Sequence, residues 1–351
     1  MLRGEMLRVG IAGIGFMGWI HWLSYQKVPG VEVVAVCERD EKRLAGDWTD
    51  IKGNFGPPGE KVDLSAIATY DSLEKLFADE NIDLIDICLP PSFHVDAVVG
   101  AAAAGKHVFC EKPLALNPED CVRAVEACDK AGKQLMVGHV LPFFPEYEAA
   151  RKIIDSGEYG ELLGGSFKRV ISDPTWLPDF YNPEKIGGPL LDLHIHDAHL
   201  IRLLFGMPKT VYSKGRMSGE VVKFCQTTFG YDGGKVVSST GGVIDQAGRP
   251  FTHGFEIQLE RATMHFEYAA VTDGDETMPL KIVTAGGDVI RPEIGDGDPI
   301  NGFVQEITEV ARSIESGVTS PILSGDLARD AVKICRAESV SVQTGKEVEI
   351  S

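Results

Sequence analysis

The chain has 351 residues, 44% of them apolar and 25% charged, and a formal charge of −18. That length exceeds one ordinary core of roughly 100 to 200 residues, so two soluble globular domains are expected. The acidic balance and the lack of a Lys/Arg-rich run argue against nucleic acid or an anionic membrane as partner, while leaving room for a small ligand in a locally positive pocket.

The N-terminal MLRGEMLRVGIAGIG reaches its apolar run only at a strand-length segment with no small-residue cleavage site after it. No stretch approaches ~20 uninterrupted apolar residues, so the expectation is a cytoplasmic protein with neither export signal nor membrane span. RVGIA (8 to 12) predicts a buried strand, the segment after Gly18 a helix, VEVVAVCE (31 to 38) a strand and residues 40 to 47 a short helix. Residues 48 to 64, with Gly53, Gly56, Pro57, Pro58 and Gly59, predict a loop that is long for a compact domain. A helix opened by Asp71 follows, then strand 82 to 89, helix 92 to 104, strand 107 to 111, helix 118 to 131 and strand 134 to 140. Strands alternating with helices of this length imply right-handed β-α-β units and a parallel sheet covered on both faces, ending near Gly138.

The rhythm then changes. A helix from about Pro145 to Ser156 leads into GELLGGSFKRVIS, an irregular Pro/Gly/aromatic stretch and a helix from Leu190. Between Thr210 and Val289, strand-like runs separated by short connections such as YDGGK predict antiparallel hairpins, and two helices, roughly 301 to 316 and 324 to 343, close the chain. Residues 139 to 351 are therefore expected to form an α+β domain with an open, mostly antiparallel sheet and helices on one face. A second copy is the expected cover for the other face, in a homodimer or homotetramer. The seven cysteines are scattered without a CxxC pair, and five fall in segments read as buried strand or helix, which favours reduced structural thiols over disulfides or zinc.

The first chemical motif is GIAGIGFMG, where Gly13, Gly15 and Gly18 form GxGxxG between a strand and a helix. The first glycine permits the tight turn, the second a close approach of a pyrophosphate, and the third close helix–strand packing. The helix N-terminus, with Phe16 and Met17 inside the motif, then faces the phosphates. Glu38 ends the second strand twenty residues beyond Gly18, where a carboxylate accepts ribose hydroxyls. These features predict a Rossmann dinucleotide-binding domain over residues 1 to 138. A carboxylate repels a 2′-phosphate and so favours NAD over NADP, with Arg39 placed to stack on adenine or to hold that phosphate.

The second motif is GKHVFCEKPLAL, which sets Glu111, Lys112 and Pro113 at a strand's C-terminal end, where open α/β sheets bind ligands. A cis Lys112–Pro113 bond would help to aim the lysine. With the strand end ICLPPSFH (Leu89, Pro90, His94), the GGPLLD segment and the closing AVKICRAESVSVQTGKEVEI, the chain resembles the Gfo/Idh/MocA family of NAD(P)-dependent oxidoreductases over nearly its whole length. The resemblance implies that these strand-end residues border the cofactor.

The stretch LLDLHIHDAHLIRLLFG, residues 190 to 206, carries three histidines and two aspartates. In a helix starting near Leu190, with Pro189 in its first turn, Asp192, His196 and His199 share one face while His194 and Asp197 point elsewhere. HIHDAH is similar to the HxHxDH zinc motif of metallo-β-lactamase-like hydrolases, but its aspartate lies one place early and no further ligand cluster follows, so no metal is expected. His194 reads as a core or capping histidine. The family resemblance implies a DxxxH pair at Asp192 and His196, the histidine working with Lys112 at a substrate hydroxyl. Imidazole titrates near neutral pH and can pass a proton both ways, while Lys112 would stabilise developing alkoxide charge; the sequence leaves open which of the two is the base.

The chain also departs from the family pattern. His199 stands where many members have an aspartate, and Pro142 where many have an arginine. Trp176 and Tyr181 are candidates to stack on a sugar ring or to pack. Arg169 could bind a substrate carboxylate, with a surface salt bridge the stronger reading. The resulting expectation is an oxidoreductase acting on a carbohydrate or polyol. A redox-assisted glycoside hydrolase and a cofactor-sensing regulator are the alternatives. The sensor would be expected to lack Lys112 or His196, and the GGHGG stretch of one hydrolase group is absent.

Overall fold

The computed structural model describes residues 6–350 apart from residues 176 and 296, and it divides into two compact units. Trp176, a substrate candidate from the sequence, thus lies outside the described residues.

The first unit is built on β1 (Leu7–Ala12), α1 (Phe16–Tyr25), β2 (Val31–Cys37), α2 (Glu41–Leu44), β3 (Ala68–Tyr70), α3 (Leu73–Phe77), β4 (Leu84–Ile87), α4 (His94–Ala103), β5 (His107–Glu111), α5 (Pro118–Ala131) and β6 (Leu135–Gly138). The six strands are parallel, in the order β3-β2-β1-β4-β5-β6. Strands covered on both faces must be apolar throughout, and Val9, Ile11, Leu84, Ile85, Val108 and Phe109 are all fully buried. Helix α5 carries its own boundary signals: the Asn117 side chain accepts from the Asp120 N–H, Pro118 opens the first turn, and Gly132 closes the helix in the left-handed region at φ 63°. The order reverses between β1 and β4, the switch point at which open α/β sheets bind ligands.

The long connection after α2 is anchored rather than loose. Trp48 is fully buried, Trp19 Nε1–H donates to the Pro57 carbonyl at 2.9 Å, and the Phe16 and Phe55 rings meet edge to face at 4.9 Å.

The second unit contains α6 (Pro145–Ser156), β7 (Leu162–Ser172), α7 (Ile195–Phe205), β8 (Thr210–Ser218), β9 (Val221–Gly230), β10 (Val236–Ile244), β11 (Phe251–Leu259), β12 (Ala262–Ala270), β13 (Glu276–Thr284) and β14 (Val289–Ile290). The chain continues through α8 (Pro299–Ser316) and α9 (Gly325–Thr344) to β15 (Val348–Glu349). The nine-stranded sheet runs β14-β13-β12-β11-β7-β10-β9-β8-β15 and is antiparallel except for the β7–β10 pair.

One expectation needs correction. Residues 139 to 351 do not form a single second unit, because Gly297–Arg329 belongs with the first. The reason is the apolar stripe of α8: Ile300, Phe303, Ile307 and Val310 are buried, α8 packs on α1, and Phe303 stacks on Phe55 with ring centroids 5.7 Å apart. All seven cysteines are buried, two more than the sequence placed in buried segments. Among the described residues no helix is long and apolar enough to cross a membrane.

Candidate cofactor site and catalytic residues

The glycine loop sits at the end of β1, against β4. Gly13 has φ +97°, and a Cβ there would lie 2.9 Å from the Cys88 carbonyl oxygen. At Gly18 a Cβ would fall 2.1 Å from the Gly13 oxygen, so only glycine lets α1 approach β1 this closely. Gly15 is the opposite case: nothing lies within 4 Å of where its Cβ would be. This is the open cradle that a pyrophosphate needs against a helix N-terminus, with Gly15, Phe16 and Met17 partly exposed around it. Glu38 is fixed next to it. One carboxylate oxygen accepts from the Ile14 N–H at 2.9 Å, and the other from the N–H groups of Arg39 (2.6 Å) and Asp40 (3.1 Å). The residues present therefore fit a dinucleotide. Sequence reasoning singled out Arg39, which is exposed, and missed Arg43. The Arg43 guanidinium donates to the Ile14 carbonyl at 3.0 Å and to Asp50 at 2.8 Å, the latter pushing its pKa up.

The carboxyl end of β4 borders the same switch point, and that of β5 lies one strand beyond it. Leu89 and Pro90 follow β4 partly or fully exposed, whereas His94 is buried, its Nδ1 2.8 Å from the Pro113 carbonyl and Nε2 2.7 Å from the Leu89 carbonyl. Burial lowers its pKa despite these carbonyls. His94 thus lies between the loop after β4 and the loop after β5, its single N–H available to one of the two carbonyls. Lys112 is partly exposed, its peptide to Pro113 is cis, and its backbone N–H donates to Glu111 Oε2 at 3.1 Å. Glu111 is buried and its Oε1 faces His21 Nε2 at 3.0 Å. His21 was not among the expected site residues; its signal was a histidine three places after Gly18 in an otherwise apolar helix.

In the second unit, the 190 to 206 segment departs from the expected helix. Leu190–His194 winds as one wide π turn before α7 begins at Ile195, with the Asp192 N–H bonded to the Gly188 carbonyl at 3.0 Å. Such turns shift the faces of the residues on either side. Asp192 and His196 are the partly exposed members of the polar set, while His199 is fully buried. His194 is the core histidine anticipated: Nε2 lies 3.0 Å from Glu338 Oε1, both side chains are fully buried, and Glu338 raises the imidazole pKa against the opposing effect of burial. Arg169 is not a surface salt bridge. It is 4% exposed on β7, and its Nε–H donates to Asp197 Oδ2 at 2.6 Å, Asp197 being 1% exposed. The irregular stretch before the π turn leaves Tyr181 partly exposed, edge to face with Phe180 at 5.2 Å, and burial and then Asp173 push its phenol up.

Two family models match in tandem. One, an oxidoreductase family with an NAD-binding Rossmann fold, covers residues 7–139, and the other, the GFO/IDH/MocA C-terminal domain, covers residues 147–265. The chain belongs to the Gfo/Idh/MocA family. It is an NAD(P)-dependent oxidoreductase. A D-xylose 1-dehydrogenase (NADP(+)) of Haloferax volcanii is 27% identical over 97% of this chain and 98% of its own length. A 2,7-anhydro-N-acetylneuraminate hydratase of Escherichia coli is 39% identical, over 40% of this chain and 38% of its own. Among solved structures, a levoglucosan dehydrogenase in complex with NADH superposes with a TM-score of 0.81 at 20% identity, over 99% of this chain and 100% of that one, a likeness of fold.

Proposed function

We propose that this Gfo/Idh/MocA protein transfers a hydride between a secondary alcohol of a sugar, polyol or sugar derivative and the nicotinamide, with Lys112 and His196 as the acid/base pair. The observation that carries the reading is that the open Gly15 cradle, the anchored Glu38 carboxylate and the strand-end Lys112 all lie at the carboxyl edge of one parallel sheet. The full-length likeness to a xylose dehydrogenase supports a carbohydrate substrate.

Bound there, the dinucleotide would supply the hydride acceptor or donor. His196 takes the hydroxyl proton as the carbon is oxidised, and Asp192 orients the imidazole and favours its charged form. Lys112 hydrogen-bonds the reacting oxygen, where alkoxide charge develops. Glu38 accepts the adenosine ribose hydroxyls and disfavours a 2′-phosphate, which supports NAD as the preferred cofactor although the xylose relative's name specifies NADP. Tyr181, His199 and Arg169 keep no direct substrate role in this reading, since the last two are buried and the first packs on Phe180. A homo-oligomer joined through the nine-stranded sheet, in the cytoplasm, completes it.

The test is Lys112→Ala and His196→Ala. Each should lower kcat on the order of 10²- to 10⁴-fold while NADH still binds. Near-normal kcat in either variant removes that residue from the mechanism, and the pH–rate profile of the variant that retains most activity assigns the base. A second reading, redox-assisted elimination, draws support from the hydratase relative. Release of an aglycone or dehydrated sugar with no net NADH would establish it instead.

A further inference from the structure

Beneath the strand ends of the first unit lies a buried ionisable cluster that the proposed reaction does not use. His21 on α1 is fully buried, with Nδ1 2.8 Å from Asp86 Oδ2 and Nε2 3.0 Å from Glu111 Oε1. A neutral imidazole donates from one nitrogen only, and turning the other lone pair onto a buried carboxylate would be repulsive. Both contacts are satisfied when the ring carries two protons. The ring is further held by stacking on Phe109, with centroids 5.3 Å apart and planes 11° apart, and the Cys88 thiol donates to Asp86 Oδ1 at 3.6 Å. Across from Glu111 the strand β6 has Gly138, where a Cβ would lie 3.0 Å from Glu111 Oε1, so the sheet leaves room for this carboxylate.

We propose that His21 is a positioning residue: as an imidazolium between Asp86 and Glu111, it fixes the Glu111 carboxylate that receives the Lys112 backbone N–H, and so sets the direction of the Lys112 side chain. The inference rests on Lys112 acting in the hydride transfer proposed above. Without His21, Asp86 and Glu111 face each other as like charges in a dry interior, and Glu111 must either take a proton or swing away. In both cases the Lys112 N–H loses its charged acceptor. Glu306 on α8 is the third carboxyl group of the cluster. It is fully buried, neither carboxylate oxygen has a hydrogen-bond partner, and burial followed by the Glu111 charge pushes its pKa well up. Both effects favour its neutral form beside the pair of carboxylates that one imidazolium serves.

His21→Ala, His21→Gln and Glu111→Gln would be compared with the wild type at equal NADH-binding stoichiometry, using a substrate deuterated at the reacting carbon. The expected result for His21→Ala is a fall in kcat per bound NADH on the order of 10- to 10²-fold, from misplacement of a group by a fraction of an ångström. The substrate KM should stay near the wild-type value and the deuterium isotope effect on kcat should rise. His21→Gln, which retains one donor, should recover part of the rate. Purely structural damage would lower the amount of active protein and leave the isotope effect and the rate per bound NADH at wild-type values, and that result overturns the proposal. Wild-type protein that binds NADH but turns over no carbohydrate would instead mean that the dehydrogenase reading had failed. The proposal is then judged on the Lys112 amine, read as its ¹³C-dimethyl signal and assigned by loss in Lys112→Arg: a shifted signal in His21→Gln supports it and an unmoved one overturns it. His21, Asp86 and Cys88 also offer heteroatoms within 4.8 Å of one another, so one equivalent of tightly bound zinc in the purified protein would overturn it too, the imidazole then being a ligand.

Discussion

Gly15 and Gly18 sit three residues apart in one motif, yet the structure assigns them different duties, which a pair of alanine variants can separate. At Gly15 the backbone has φ −93° and ψ −157°, which an L-residue adopts, and the added methyl would meet no protein atom within 4 Å. Stability should therefore stay within ~0.5 kcal/mol of wild type. The methyl would occupy the space into which a pyrophosphate must come, so NADH affinity should fall at least ~10-fold, or about 1.4 kcal/mol. At Gly18 the methyl would lie 2.1 Å from the Gly13 carbonyl oxygen, and α1 would have to move away from β1. Overpacking of this kind costs about 1–3 kcal/mol, which at ~2–4 °C per kcal/mol appears as a loss of several degrees in Tm. Differential scanning fluorimetry and NADH fluorescence titration on both variants decide the matter. Equal losses of Tm in the two, or wild-type NADH affinity in Gly15→Ala, would refute the assignment of Gly15 to the cofactor cradle.

Other outcomes follow from the same geometry. Arg169→Met leaves Asp197 buried beside a neutral chain and should cost about 3–5 kcal/mol, whereas adding Asp197→Leu should restore part of that loss; denaturant unfolding of the two variants checks it, and additive losses would contradict the buried pair. Wild-type protein should bind NAD more tightly than NADP, and Glu38→Ser should narrow the gap; equal or tighter NADP binding in the wild type would remove Glu38 as the discriminator. Asp86 and Cys88 hold the His21 pKa well above its usual value although burial opposes them. A raised pKa stabilises fully below the unfolded value near 6.5 and is lost as pH rises through the folded value. Asp86, Cys88, Glu111, Glu306 and Tyr25 surround this ring, and none of them changes that sign. The Tm difference between wild type and His21→Gln should accordingly be largest at mildly acidic pH and shrink toward pH 9 if Asp86 and Glu111 both stay ionised in the variant; a constant difference would mean that the ring is neutral or that Glu111 takes up the proton in the variant.

Much of the first unit was legible because its strands are buried on both faces and its turns are written in Gly, Pro and Asn. The β5 strand, the α5 helix and the Gly13–Gly18 loop fall where the apolar runs and caps placed them. β3 escaped because three residues carry no periodicity, and it forms only because β2 offers an edge. The π turn at Leu190–His194 escaped for a different reason: its residues satisfy an ordinary helical pattern, and the extra residue per turn leaves no mark in composition. Pairings across long separations were equally invisible. Arg169 with Asp197 lies 28 residues apart and His194 with Glu338 lies 144 apart, so the charges were readable but not their pairing. The amphipathic stripe of α8 announced a buried face without naming α1 as its partner, and the return of this segment to the first unit was missed accordingly.

The most direct test of the central claim is absorbance at 340 nm of the purified protein with NAD and a panel of sugars, inositols, sugar acids and glycosides, each run beside NADP. The account predicts rising absorbance with one chemical group of the panel, faster with NAD, and loss of that signal in Lys112→Ala and His196→Ala. NADH binding with a flat trace throughout, or free aglycone from a glycoside with no net NADH, would contradict it.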